Sequence, residues 1–172
     1  MFNDRKIAPC LWFNGEAEQA VAFYTSIFPN SKVRKISHYT ETGRDIHQRP
    51  PGSVLTIEFE LDGEPFTALN GGPQFRFNEA ISLQVFCKTQ KEIDLYWANL
   101  TAGGDPAAQQ CGWLKDRFGV SWQVVPTALR EMVADPDPEK VGRVMTALFP
   151  MKKLDLATLE RAYQGQGAAV AR

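Results

Sequence analysis

Two residues have side chains that could transfer a proton in a reaction, Glu58 and His47. Glu58 lies in a stretch, residues 54–61, in which apolar and polar side chains alternate, as they do along a half-buried strand. A carboxylate on an enclosed sheet face can act as a general acid or base. His47 lies in a loop, residues 42–53, whose glycines and prolines disfavour regular structure, and it could close over a pocket as a mobile lid. The alternative for both is a solvated side chain without a chemical role.

A second group of polar and aromatic side chains alternates with apolar ones along the predicted strands. Because side chains alternate across a strand, one face of each sheet packs on a helix and the other is left for a ligand. The predicted ligand-binding residues are Cys10, Trp12, Thr56, Ser82, Gln84, Ser121 and Gln123. Hydroxyls, amides and an aromatic ring are typical of pockets for small organic molecules. The alternative is the ordinary solvated face of an antiparallel sheet.

The charge and motif content excludes several classes of protein. The 19 basic and 20 acidic residues nearly cancel and are scattered along the chain, so we expect neither a nucleic acid partner nor a membrane surface partner. The sequence has no phosphate-binding loop, no His-Glu-x-x-His motif and no Gly-x-Ser-x-Gly motif. It also has no signal-peptide pattern and no apolar run of bilayer length, so we expect a cytoplasmic protein.

Three cysteines, Cys10, Cys87 and Cys111, are an odd number without Cys-x-x-Cys spacing. This pattern argues against a disulfide framework and against a structural zinc site. We expect three reduced thiols, most of them buried.

The order of elements repeats along the chain. A strand at residues 7–13 precedes a helix that Asn14 is predicted to cap, and Asp62-Gly63 turns a later strand into a hairpin. In the second half, a strand at residues 80–87 precedes a helix that begins with the capping box of Thr89 and Glu92. Such self-similarity predicts an α+β fold of two βαβββ modules, each with a helix covering one face of its own sheet.

The remainder of the chain is predicted to be helical. Thr127, Asp137 and Asp155 are the predicted caps of three helices whose apolar stripes could cover the second sheet or a partner subunit. The small residues 165–172 should fray. We therefore expect a first module over residues 1–75, a second over 76–126 and a helical extension and tail over 127–172, in one compact domain overall.

Several segments of the sequence are similar to those of a known family. They are residues 7–13 (IAPCLWF), the helix at 16–28 with Phe23-Tyr24, residues 92–97 (EIDLYW), 111–116 (CGWLKD), 119–126 (GVSWQVVP) and 153–163. On these segments the chain resembles, over about residues 6–165, the PhnB-like or demethylubiquinone methyltransferase-like family of the vicinal oxygen chelate superfamily, which includes glyoxalase and bleomycin resistance proteins. The resemblance implies a curved, mainly antiparallel, eight-stranded cleft and a homodimer.

The metal ligands of that superfamily are not matched here. Metal-dependent members place His, Gln or Glu on the first and last strands of each module. The corresponding positions are Ala8 or Pro9, Thr67 or Leu69, Ala80 or Ser82, and Gln123. One neutral amide is too few ligands for a divalent cation. We therefore expect a site without metal and without cofactor.

The resulting functional expectation is a protein that binds a small organic molecule in a metal-free cleft, with or without turnover. Two alternatives remain open. The family label implies a methyltransferase acting on a quinone-like ring, although no Gly-x-Gly follows the first strand as in S-adenosylmethionine enzymes of that pathway. The drug-resistance relatives imply a protein that sequesters a small molecule without converting it.

Overall fold

The computed structural model describes residues 6–166, and the chain divides between Phe77 and Asn78 into two compact units. Each unit has a sheet with a helix packed against it, so the predicted α+β class is confirmed. Within the described residues no helix has the length and apolar character needed to cross a membrane.

The first unit contains one complete βαβββ module. Its elements are β1 (Cys10–Phe13), α1 (Ala17–Ile27), β2 (Lys32–His38), α2 (Arg44–His47), β3 (Val54–Leu61) and β4 (Glu64–Asn70). The strand order is β1-β4-β3-β2, with β1 parallel to β4 and the other pairs antiparallel. The hairpin predicted at Asp62-Gly63 joins β3 to β4.

The core of the first unit lies between α1 and one face of this sheet. Alternate residues of β3, among them Ile57 and Phe59, are buried, and so are Val21 and Tyr24 on the apolar stripe of α1. The helix and the sheet therefore bury each other's apolar face, as the period-two and helical patterns predict.

The cap of α1 differs from the prediction. The helix begins at Ala17, after a turn at Asn14-Gly15, and its first N–H donates to the Asn70 Oδ1 atom at 3.0 Å. Asn70 can reach this helix end because β1 and β4 are parallel and pair Phe13 with Asn70. The capping side chain thus comes from a residue more than 50 positions away, which local sequence patterns do not indicate.

The loop at residues 42–53 is more regular than predicted. It contains the single-turn helix α2, which is flanked by Gly43 and Gln48, both in the left-handed backbone region. The strands around it are held together because the Tyr39 N–H donates to the Ser53 carbonyl at 2.9 Å. The left-handed backbone at Gly43 and Gln48 therefore lets the chain turn tightly, and the loop forms a compact connection between β2 and β3.

The second unit carries a shorter sheet and four helices. Its elements are β5 (Leu83–Cys87), α3 (Gln90–Thr101), a 3-10 turn (Pro106–Ala108), β6 (Trp113–Lys115), β7 (Ser121–Pro126), α4 (Thr127–Val133), α5 (Pro138–Leu148) and α6 (Leu156–Tyr163). The order is β5-β7-β6, with β5 parallel to β7. The predicted capping box of Thr89 and Glu92 is confirmed at the start of α3.

The repeat predicts four strands in the second sheet, whereas the described residues form three. After α3, the side chain of Asp105 accepts from the Ala107 N–H at 2.9 Å and starts the 3-10 turn. Pro106 lacks an N–H for a ladder, and only Gln110 bridges to Trp113. The chain from residue 6 to 166 therefore has seven strands in two open sheets, and the curved eight-stranded cleft stays a prediction.

The C-terminal helices pack on the end of β7. Their core consists of Val125, Leu129, Met132, Val144, Leu148, Leu154 and Leu159. Asp137 and Asp155 cap α5 and α6 as predicted. Thr127 instead is the first residue of α4, and its hydroxyl donates to the Cys87 carbonyl at 3.2 Å. Most of the tail predicted to fray, residues 167–172, lies outside the described part of the chain.

Candidate functional site

Two glutamines face each other on the second sheet, on the face that does not pack against α3. The register of β5 and β7 places Gln84 opposite Gln123. The Gln84 Nε2 group donates to the Gln123 Oε1 atom at 3.3 Å, and the Gln123 Nε2 group donates to the Ser82 hydroxyl at 2.8 Å. Three of the predicted ligand-binding residues are therefore joined in one hydrogen-bonded row.

A pocket of about 440 Å³ lies over these glutamines. It is lined by Gln84, Phe86, Cys111, Trp113, Gln123, Val125, Leu129, Arg130, Val133, Met145 and Leu148. The volume is within the range of roughly 300–1,000 Å³ that is usual for small-molecule sites. Most of the lining is apolar, with the two amides on the floor, which suits an organic molecule bound through a few hydrogen bonds.

The apolar stripes of the C-terminal helices were expected to cover the second sheet or a partner subunit, but their role as a wall of this pocket was not predicted. Leu129 and Val133 are four residues apart on α4, and Met145 and Leu148 are three apart on α5, so each pair shares one helix face. These spacings are visible in the sequence. The pattern alone does not show that α4 and α5 border the sheet face that carries Gln84 and Gln123, because that depends on tertiary packing.

Arg130 is the charged residue of the pocket lining. Its guanidinium carbon lies 4.9 Å from the centre of the Phe86 ring, a cation–π distance. Phe86 itself is 44% exposed, so this pair forms the rim of the pocket.

Ser121 lies on the same face of β7 but is not among the pocket-lining residues. Its side chain is buried, and among the residues that the structure describes its hydroxyl finds no hydrogen-bond partner. A buried hydroxyl without a partner costs free energy, so Ser121 is exceptional in this otherwise paired part of the sheet. Its predicted ligand-binding role stays a prediction.

The open face of the first sheet carries the other predicted ligand-binding residues. Trp12 lies against Gly71, its Nε1 group donates to the Gly72 carbonyl at 2.8 Å, and its ring meets the Phe75 ring edge-on at 4.9 Å. Thr56 shares a hydrogen bond of 2.5 Å with the Ser37 hydroxyl. Trp12 and Thr56 lie in one row, since both pair with Leu69.

Cys10 and Glu58 occupy the next row of the same face. Thr67 pairs with both of them, and Lys35 of the edge strand is opposite Glu58. Cys10 is exposed overall, yet partial burial of its thiol raises the pKa above the usual cysteine value. Glu58 is half-buried, and within residues 6–166 it makes no ion pair with Lys35. Its catalytic role stays a prediction.

His47 is bound within its own loop. Its Nδ1 atom accepts the Arg49 N–H at 3.0 Å, so the Nε2 atom carries the proton and faces the Thr42 carbonyl at 3.3 Å. The ring lies 4.5 Å from that of Tyr39. These contacts show how the loop is held, and none of the described hydrogen bonds of His47 reaches Glu58.

Comparison with known proteins identifies the family. The model of the family described as 3-demethylubiquinone-9 3-methyltransferase matches residues 5–125, which is more than half of the chain. The chain belongs to this family. This family is the PhnB-like or demethylubiquinone methyltransferase-like family that the sequence segments indicated.

Three solved structures illustrate the similarity of this PhnB-like chain. A Bacillus cereus protein, described as 3-demethylubiquinone-9 3-methyltransferase and PhnB protein, is 34% identical, with 72% of this chain and 100% of that chain covered and a TM-score of 0.62. A Staphylococcus aureus protein is 30% identical, with 70% and 94% covered and a TM-score of 0.31. A fosfomycin resistance protein of Listeria monocytogenes is 18% identical, with 75% and 96% covered and a TM-score of 0.48. No protein with a curated description matches the sequence.

The residues of this PhnB-like protein do not fit the metal centre that a resemblance to the vicinal oxygen chelate superfamily would imply. Among residues 6–166, no three His, Cys, Asp or Glu side chains come together as a group that could hold a metal ion. Gln123, the remaining candidate ligand, is bonded to Ser82 and Gln84. A divalent cation needs several oxygen or imidazole ligands, and one amide held by neighbouring side chains does not supply them.

Proposed function

We propose that this PhnB-like protein binds a small organic molecule in the pocket of its second unit, without a metal ion. The observation that carries the proposal is the pair Gln84 and Gln123 on the floor of a mostly apolar pocket, with Gln123 held by the Ser82 hydroxyl beside it. The row is fixed by its internal hydrogen bonds, while the second N–H of each amide is left for a ligand carbonyl or hydroxyl.

The pocket walls support an organic ligand with an extended apolar part. Trp113 and Phe86 supply aromatic surface, and Leu129, Met145 and Leu148 supply aliphatic surface from the helices. Burial of apolar area contributes most of the binding free energy in such pockets, and a few polar groups set the orientation.

Native mass spectrometry of the purified protein tests this proposal. We expect a co-purified organic molecule or a bound probe such as N-phenyl-1-naphthylamine, and no retained metal. The variant Val133→Trp fills the pocket from its rim and should lose the bound molecule, because Val133 lines the pocket and is 42% exposed. The matched control is Leu95→Trp, on α3, where Leu95 is 54% exposed and does not line the pocket.

The outcome of that comparison is decisive. Loss of the molecule in Val133→Trp with retention in Leu95→Trp supports the pocket as the site. Equal retention of the molecule in both variants would show that it binds elsewhere in the protein. A stoichiometric metal ion in the spectra would overturn the metal-free proposal. The same spectra report the subunit number, for which we propose a homodimer.

The family description favours methyl transfer to a quinone-like ring as a second candidate function. This function requires a methyl donor, and S-adenosylmethionine is the general one. Titration calorimetry with S-adenosylmethionine tests it. A binding heat would support methyl transfer, and the absence of heat at high protein concentration would remove it.

Binding without turnover is the remaining alternative, in which the protein sequesters its ligand. Protection of a target from a toxic ligand would then be mole for mole, whereas an enzyme protects beyond its own concentration. Glu58 and His47 lie in the first unit and do not line this pocket, so we propose them as proton carriers only for a separate reaction in the first unit. Glu58→Gln should then lower the rate while leaving the stability of the fold nearly unchanged, since Glu58 makes no ion pair with the neighbouring Lys35.

A further inference from the structure

We propose that the ligand of the pocket in the second unit carries an anionic group on an aromatic or apolar body, and that Arg130 binds this anionic group. The inference rests on the proposed function and specifies the class of ligand. A carboxylate, sulfonate or phosphate would satisfy it, since all three present oxygens to a guanidinium in a similar way.

Arg130 has the position of an anion-binding residue. It lies on α4 and lines the pocket, and the contact of its guanidinium with the Phe86 ring holds the charge at the rim. Within residues 6–166 it makes no ion pair with an acidic side chain. The donors of the guanidinium fork are therefore left for a ligand.

The surroundings of Arg130 do not neutralise it. The lining of the pocket contains no aspartate and no glutamate. The adjacent acidic residue, Glu131, lines a different cavity with Glu160 and Tyr163, because consecutive residues of a helix point in different directions. Arg130 is an exposed residue at the pocket rim, so its attraction for an anion is screened by salt, and the adjoining apolar lining adds to the binding of an amphiphilic anion.

The rest of the pocket selects the body of the ligand. Phe86 and Trp113 offer ring surfaces, while the Gln84 and Gln123 amides are neutral and suit a carbonyl or hydroxyl. A purely inorganic anion would leave the apolar walls in contact with water. The geometry therefore favours an amphiphilic acid over free phosphate.

Two fluorescent probes of the same shape test the proposal. 8-Anilinonaphthalene-1-sulfonate carries a sulfonate, and N-phenyl-1-naphthylamine has the same ring system without the charge. We expect the wild-type protein to bind the sulfonate about tenfold more tightly than the neutral probe at low salt, because a charge-assisted hydrogen bond is worth on the order of a factor of ten. The preference should shrink as salt is added.

Substitutions separate the role of Arg130 from a general charge effect. Arg130→Gln should abolish the preference for the sulfonate while leaving the affinity for the neutral probe within twofold, roughly the variation of an unperturbed site. Lys91→Gln removes one positive charge from α3, outside the pocket lining, and should keep the preference.

The possible failures are distinguishable. If both probes bind the wild type equally, or if Arg130→Gln keeps the preference, the role of Arg130 is wrong while the pocket stands. If neither probe binds, or if Val133→Trp leaves both affinities unchanged, the pocket itself is not the site and the proposed function fails with it.

Discussion

The side-chain amide of Gln123 donates to the hydroxyl of Ser82 at 2.8 Å and thereby fixes the floor of the pocket in the second unit. Ser82 directly precedes β5, whereas Gln123 lies in the middle of β7, so the bond ties the segment before β5 to β7. A ligand that meets an amide already held in one orientation loses less entropy on binding than one that must order it.

Removal of the Ser82 hydroxyl is expected to make the Gln123 side-chain amide more mobile. Ser82→Ala should lower the free energy of unfolding by about 0.5–1.5 kcal/mol, the usual net contribution of one hydrogen bond. Urea denaturation measures this change. The control is Ser26→Ala, whose hydroxyl bonds only to the Phe23 carbonyl of its own helix and is exposed. Equal urea midpoints for Ser82→Ala and the wild type would contradict a structural role for the bond.

Gly71 is expected to tolerate no side chain. A Cβ atom there would lie 2.3 Å from two atoms of the Trp12 ring, so the ring would have to move away from Gly71 and from its bond to the Gly72 carbonyl. Gly71→Ala should destabilise the protein by about 1–3 kcal/mol, as overpacking usually does. The measurement is the urea midpoint together with near-ultraviolet circular dichroism of the tryptophans.

The control for Gly71→Ala is the same substitution in an open position. A Cβ atom at Gly142 would meet nothing within 4 Å, and Gly142 lies inside α5. Gly142→Ala should therefore stabilise the protein, by up to about 1 kcal/mol from helix propensity. An unchanged midpoint for Gly71→Ala, with Trp12 dichroism retained, would show that the ring has room to move.

The contact between Tyr163 and Asp135 predicts a pH dependence. The Tyr163 hydroxyl donates to the Asp135 carboxylate, and this bond lowers the pKa of Asp135 below its usual value of about 3.9. The stabilisation of the folded protein by this bond is fully present above that value and is lost as the pH falls through the lowered pKa of Asp135. Tyr163→Phe should reduce the stability at pH 7.

The measurement for this prediction is the urea midpoint of both proteins between pH 7 and pH 2. The difference in urea midpoint between wild type and Tyr163→Phe should become smaller towards pH 2. A protonated Asp135 is no longer stabilised as an anion by the hydrogen bond from the Tyr163 hydroxyl. A difference that stays constant over this range would mean that Asp135 is not the titrating partner.

The three thiols are expected to differ in reactivity. Burial raises the pKa of Cys87 to about 12, with a smaller contribution from the charge of Glu92, so almost no thiolate is present at pH 8. Cys10 is exposed and Cys111 is half-buried, so the expectation that most of the thiols are buried was wrong. A thiol reagent such as 5,5′-dithiobis(2-nitrobenzoate) should modify at most two thiols in the native protein and three in urea. Rapid reaction of all three in the native state would contradict the burial of Cys87.

Much of the fold could be predicted because its signals are local. The capping box at Thr89, the caps at Asp137 and Asp155 and the alternation along β3 all depend on neighbouring residues. The cap of α1 by Asn70 could not be predicted, because it depends on the parallel pairing of β1 with β4. The missing strand of the second sheet follows from Asp105 and Pro106, whose preference for a turn outweighs the repeat.

The candidate site was predicted in part, again because some of its signals are local in the sequence. Period-two alternation assigned Gln84 and Gln123 to one sheet face, which is where the structure brings them together. The sequence left open whether the C-terminal helices cover this sheet or a partner subunit, and it did not place Arg130 at a pocket, because both depend on how α4 turns back after Pro126. The spacing of the pocket residues along the sequence does not indicate this change in chain direction.

Nuclear magnetic resonance of the glutamine side-chain amides tests the central claim most directly. Titration of the labelled protein with N-phenyl-1-naphthylamine should shift the Gln84 and Gln123 amide signals and the Trp113 indole signal in a saturable way, with one dissociation constant. The signals can be assigned from the variants Gln84→Leu and Gln123→Leu. Saturable shifts confined to residues of the first unit, or none at all, would contradict a binding site in this pocket.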